Sequence, residues 1–209
     1  LMHTLDEPTL SGIRMTAINK RSFYSGSGNY SGKLIAECLL PEKPIIRKIG
    51  GPGKEFWVEG EGKNYPTNVS KTPYWETGSW RFEVSPSSAS KEDYFLHAMV
   101  VMDKNTTLKI KSERVEYGDM VGAHFLGKTS LFSRTGKLIE EVNVTCNKVQ
   151  DILLCDLEPG QWIVQQNGRK DITYTVSDTG KCLYLKDCNG THRICNSLNV
   201  KDIFNSYEE

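Results

Sequence analysis

The chain has no surplus charge of either sign: 26 Lys and Arg stand against 26 Asp and Glu in 209 residues. That removes the concentrated basic surface from which nucleic-acid binding draws its counterion release. Long hydrophobic runs are missing too. No stretch approaches the roughly 18 apolar residues of a membrane-spanning helix, and the opening residues carry neither the basic nor the apolar segment of a signal peptide. Neither nucleic acid nor a membrane is expected as a partner. Helical periodicity is absent as well, since no window sustains an i, i+3, i+4, i+7 apolar stripe for three turns. No His-Glu-x-x-His, Gly-x-Ser-x-Gly, phosphate-loop or dinucleotide fingerprint is present. Histidine is scarce, with only His3, His97, His124 and His192. His97 and His124 sit in apolar runs, where a hydrogen-bonded core role is the plainer reading. His3 opens the chain and could serve a site completed elsewhere. No catalytic residue, metal ligand or cofactor is expected of the chain itself.

What is present is period-two alternation from end to end. In Trp80-Arg81-Phe82-Glu83-Val84 successive side chains must face opposite sides of a sheet, which puts Trp80, Phe82 and Val84 inward. Tyr94 to Met102 is almost continuously apolar and predicts a central strand covered on both faces. Glycine-, proline- and asparagine-bearing turns recur at short intervals, among them Gly50-Gly51-Pro52-Gly53, Asn167-Gly168 and Asn189-Gly190. Ser87 to Asp93 has room for one helical turn. The fold class expected is all-β: an antiparallel β-sandwich over residues 1–105, then a smaller β-sandwich domain over 106–209 with cysteine-rich hairpins. The start at Leu1-Met2-His3, already strand-like and without an initiator, suggests a piece of something longer.

Cys38, Cys146, Cys155, Cys182, Cys188 and Cys195 lie mostly in the last third. If Asn147 to Leu154 and the segment around Asn189-Gly190 are hairpins, Cys146 faces Cys155 and Cys182 faces Cys195, within disulfide reach. That pairing favours an oxidising compartment. Two alternatives stay open. One is zinc on Cys182, Cys188, His192 and Cys195, whose spacings lack the tight knuckle of structural sites; the other is plain buried thiols. Asn29, Asn68, Asn105, Asn143 and Asn189 each head a glycosylation triplet, relevant only in a glycosylating pathway.

Aromatics give the most suggestive pattern. Trp57, Tyr65, Tyr74, Trp75 and Trp80 fall close together with Lys54, Lys63, Asn64, Lys71 and Arg81. Flat rings beside hydrogen-bond donors are what a sugar needs, because its C–H face stacks while hydroxyl or sulfate groups take donors. Trp57, Tyr65, Trp75, Lys63 and Lys71 are therefore the candidate carbohydrate-binding residues. The competing reading fills a sandwich core with the same rings, and it suits Trp80 best.

Several segments together resemble the C-terminal β region of heparinase II/III-like polysaccharide lyases. They are His3-Thr4-Leu5-Asp6-Glu7-Pro8, Leu39-Leu40-Pro41-Glu42-Lys43-Pro44, Lys48 to Val58, Lys63-Asn64-Tyr65-Pro66, Trp80 to Pro86, Glu92 to His97, and Leu157-Glu158-Pro159-Gly160-Gln161-Trp162. Coverage is fuller over residues 1–105 than beyond. The resemblance implies an upstream α-helical toroid as partner and a cleft for an acidic polysaccharide, in a secreted or periplasmic enzyme. It also implies β-elimination. The uronate carboxylate is neutralised, a Tyr or His takes the C5 proton, and an acid protonates the departing O4. No catalytic residue of that family maps onto this chain. The resemblance thus implies a portion without turnover that packs on the toroid and lines the cleft. A free-standing carbohydrate-binding module is the alternative.

Overall fold

A computed structural model describes residues 1–19, 31–65 and 78–198. The chain divides into two compact units, residues 1–110 and 111–209. Among the described residues the structure is strands and turns, with one 3₁₀ turn at Glu59–Glu61 and no helix long and apolar enough to cross a membrane.

The described residues of unit 1 form two sheets and a ribbon. Strands β1 (Met2–Thr4), β8 (Trp80–Pro86) and β5 (Pro44–Gly50) form one sheet in that order. The second runs β2 (Thr9–Ser11), β3 (Arg14–Ile18), β4 (Gly32–Leu40), β9 (Leu96–Asp103). The core joins them: Met15 and Ala36 from the second sheet pack with Phe82 from the first, and Met2, Ile46 and Val84 close around them. Two faces meeting over one apolar layer make a sandwich. Glu37 is buried on β4, and its carboxylate accepts from the Arg14 guanidinium at 2.6 Å, which keeps the buried charge paired.

Two expectations for unit 1 need correction. Among the described residues β9 is not a central strand; it ends its sheet, with β4 as its neighbour. Its apolar composition hides an alternation in which Ala98 is buried while Met99 and Val101 are 52% and 78% exposed. An apolar run reports hydrophobic side chains on both faces, but it does not report whether anything covers them. Residues 87–93 hold bends and no helical turn. In the Trp80 to Val84 run only Phe82 is fully buried; Trp80 is half-buried and leans on the Gly50-Gly51 backbone. A Cβ on Gly51 would lie 2.8 Å from the Trp80 ring.

Unit 2 is one seven-stranded sheet. Its order is β10 (Glu113–Tyr117), β11 (Met120–Phe125), β12 (Lys128–Ser133), β13 (Glu141–Leu154), β16 (Leu183–Asn196), β14 (Gly160–Gln166), β15 (Ile172–Val176). All pairs are antiparallel except β12 with β13, which are parallel. Residues from both halves of the sheet, such as Met120 and Leu131 on one side and Trp162 and Val176 on the other, share a single core. One sheet can do that only by folding over itself. The fold-over coincides with register shifts in the β13–β16 ladder between Cys146 and Ile152, the device by which long strands turn a corner.

These long strands overturn the expected hairpins. Asn147 to Leu154 lies inside β13 and Asn189-Gly190 inside β16, so Cys146 is separated from Cys155, the residue that follows β13, by the length of a strand without a reversal, and Cys195 likewise from Cys182, the residue that precedes β16. At about 3.3 Å per residue each pair spans tens of ångströms, far beyond disulfide reach. All six cysteines are free thiols. Asn-Gly permits the positive φ seen at Gly190, but a bulge uses that freedom as readily as a turn does. At Asn167-Gly168 the same dipeptide does form the β14–β15 turn, closed by Arg169 N–H on the Gln166 carbonyl at 3.0 Å.

Candidate functional site

The aromatic candidates fall on a small ribbon of unit 1, β6 (Trp57–Val58) paired with β7 (Lys63–Asn64). Gly62, at φ 59, lets its N–H close the intervening 3₁₀ turn onto the Glu59 carbonyl. Asn64 then locks the ribbon base: its Oδ1 accepts from Phe56 N–H at 2.7 Å and its Nδ2 donates to Glu55 at 3.2 Å.

On this frame the Lys54 ammonium stands 5.3 Å from the Trp57 ring centre and the Lys63 ammonium 4.5 Å from that of Tyr65. One face of each ring is therefore already occupied by a cation. The Tyr65 hydroxyl donates to the Glu61 carboxylate, and this bond raises its pKa above the usual phenol value. Three of the five predicted site residues, Trp57, Lys63 and Tyr65, are thus brought to one ribbon. Trp75 and Lys71 lie outside the described residues. The ribbon also carries Glu55, Glu59 and Glu61, so its charge is mixed, and an acidic sugar would meet carboxylates beside the lysines.

A second feature of unit 1 is a cleft of about 1200 Å³ whose polar lining includes His3, Asp6, Asn19, Lys33, Asp103 and Lys104. A space of this size exceeds the usual range for small-molecule pockets. Its groups are partly spent within the fold: the Lys33 ammonium donates to the Thr106 carbonyl, and the Thr4 hydroxyl to that of Asp6. His3 reaches this lining, which is the one histidine placement that fits a site.

The other histidines are structural. His97 is half-buried opposite Cys38, and burial lowers its pKa. His124 Nδ1 lies 2.9 Å from Thr129 Oγ1, whose own proton goes to Gln150, so the histidine is the donor. The proposed zinc set does not assemble. Cys182 and Cys195 stand at opposite ends of β16, and among the described residues no three His, Cys, Asp or Glu side chains gather for a metal.

His192 is buried in unit 2, and among the described residues neither ring nitrogen has a partner in full hydrogen-bond geometry, the Asn189 backbone offering only a weaker polar contact. Burial lowers its pKa below the ordinary value; the Asn189 backbone, which favours the charged ring, offsets only part of this. The folded state therefore resists a proton that the unfolded chain accepts near pH 6.5. Stability is expected to be independent of this group above that pH and to fall as the pH drops below it, levelling off beneath the lowered native pKa. Urea midpoints between about pH 7 and pH 5 should decline more steeply for the native chain than for His192→Leu. Equal slopes would show that the ring carries no such linkage.

Residues 114–196 match the family model described as Heparinase II C-terminal domain. The match runs from the second residue of β10 to the end of β16, and so takes in nearly all the strand residues of unit 2. No curated protein matches the chain.

Proposed function

We propose that this chain, whose residues 114–196 match the model of a heparinase II C-terminal domain, is the non-catalytic β portion of a secreted or periplasmic polysaccharide lyase. In this reading it packs on an α-helical toroid that carries the β-elimination machinery. Unit 1 contributes one wall of the cleft that receives a uronate-containing polysaccharide. The family match is the observation that carries the reading. Two features of unit 1 support it. Met99, Val101 and the preceding Phe95 leave apolar surface exposed along a sheet edge, as a surface meant for a partner domain does. The wide cleft near His3, whose lining mixes apolar side chains with polar groups, suits an extended substrate better than a compact one.

A second reading, a free-standing carbohydrate-binding module, draws on Tyr65, 43% exposed beside Lys63. The carboxylates of the same ribbon weigh against it for acidic sugars.

One experiment separates the two. The chain is incubated with sulfated and unsulfated uronate polysaccharides, product is followed by the absorbance of the unsaturated uronate, and retention is measured on gels bearing the same polymers. Neither turnover nor tight retention is expected of the chain alone. Turnover would overturn the division of labour. Retention lost in Tyr65→Ala, with the circular dichroism spectrum preserved, would replace it with the binding module.

A further inference from the structure

The ladder between β13 and β16 ends at the pair Leu154 and Leu183, both buried. The next residues in each direction, Cys155 and Cys182, are therefore opposed, and they lie on the face away from the core, half-buried and exposed respectively. Just past them the two chains are held together again by Leu157 N–H on the Lys181 carbonyl at 2.9 Å. The cysteine pair is thus bracketed by contacts on both sides. Which kind of pair it is follows from one further bond. The Cys155 N–H donates to the Leu131 carbonyl on β12, at 2.9 Å, and so points away from β16. Towards β16 the two cysteines form a non-hydrogen-bonded pair, the kind in which Cα atoms approach to about 4.5 Å. That separation lies at the near end of the range a disulfide spans.

We infer that Cys155 and Cys182 are a modification site, a cross-strand dithiol that closes to a disulfide when it meets a small-molecule disulfide oxidant. The chemistry balances in two exchanges. The exposed Cys182 thiolate attacks one sulfur of oxidised glutathione, forms a mixed disulfide and releases one glutathione thiolate. Cys155, after losing its proton, attacks the Cys182 sulfur and displaces the second glutathione. Two protein thiols are oxidised and one glutathione disulfide is reduced to two thiols. Burial and the neighbouring Asp156 push the Cys155 thiol up to about 11, which suits it to the second, intramolecular step rather than the first. Cys146, Cys188 and Cys195 are buried and out of the oxidant's reach. The inference does not depend on the polysaccharide reading.

The test treats the native chain with oxidised glutathione at mildly alkaline pH, alkylates the remaining thiols, digests without reduction and identifies cross-linked peptides by mass spectrometry. A Cys155–Cys182 cross-link is expected, with Cys146, Cys188 and Cys195 alkylated only after unfolding. The melting temperature should rise by about 10 °C on oxidation, through loss of unfolded-state entropy in the closed loop. That rise should be absent in Cys182→Ser, whose exposed site tolerates the change, and in Cys155→Ser. A stable glutathione adduct on Cys182 with Cys155 still free, or a cross-link to any other cysteine, would overturn the assignment.

Discussion

Gly122→Ala is expected to destroy the native packing of unit 2. Gly122 lies on β11, opposite Leu131 on β12. An added Cβ would sit 1.8 Å from the Ser130 carbonyl oxygen and 2.9 Å from the Leu131 Cα. These are backbone atoms of the neighbouring strand, so no side chain can rotate aside. The strands must separate, and the β11–β12 hydrogen bonds go with them. Ordinary overpacking costs about 1–3 kcal/mol, and lost ladder bonds add to that, against a total stability of about 5–15 kcal/mol. Gly32→Ala is the matched control, because its Cβ would meet nothing nearer than the Met102 carbonyl at 3.9 Å. Urea unfolding followed by far-ultraviolet circular dichroism should show the first transition at far lower denaturant, or no folded baseline at all, and the second near that of the native chain. Coincident midpoints for the two variants would refute the steric argument.

Trp162→Ala should have the next largest effect. Trp162 on β14 is completely buried, and its indole N–H donates to the Glu158 carbonyl at 2.8 Å. Truncation removes the largest side chain of the unit 2 core and leaves a cavity, at a cost of about 3–5 kcal/mol. The orphaned carbonyl adds roughly 1 kcal/mol. Trp162→Phe separates the two contributions, since it keeps much of the ring volume and loses only the donor; it should cost about 1–2 kcal/mol. Chemical denaturation of all three chains, read by circular dichroism because the tryptophan is itself the change, gives the comparison. If alanine costs no more than phenylalanine, the site collapses and packing there is not limiting.

Strand content was readable from alternation because a half-buried strand writes its two environments into successive residues, as Phe82 with exposed Ser85 and buried Val142 and Val144 with exposed Asn143 do. Sheet neighbours were not readable in the same way. Nothing in Phe95 to Met102 encodes that β9 has a single partner among the described residues, since edge and centre differ in what lies beside a strand rather than in the strand. Asn189-Gly190 misled for a related reason: the dipeptide licenses positive φ, and whether the chain reverses or merely bulges is decided by the register of a distant strand. The correct cysteine opposition depended on that register too. Of the candidate site, the ribbon holding Trp57, Lys63 and Tyr65 was legible as a cluster in sequence. The lysine on each ring face and the three interspersed carboxylates gained meaning only once the hairpin placed them together.

The two strands that run the length of unit 2 have one further consequence. β13 lends its first residues to one half of the folded-over sheet and its last to the other, and β16 does the same in reverse order. Neither half owns a complete set of backbone partners. A break in the polypeptide near Lys148 would separate the part of β13 that belongs to one half from the part that belongs to the other, leaving no smaller piece with all its strand partners, so this unit is expected to gain or lose its order as an indivisible whole.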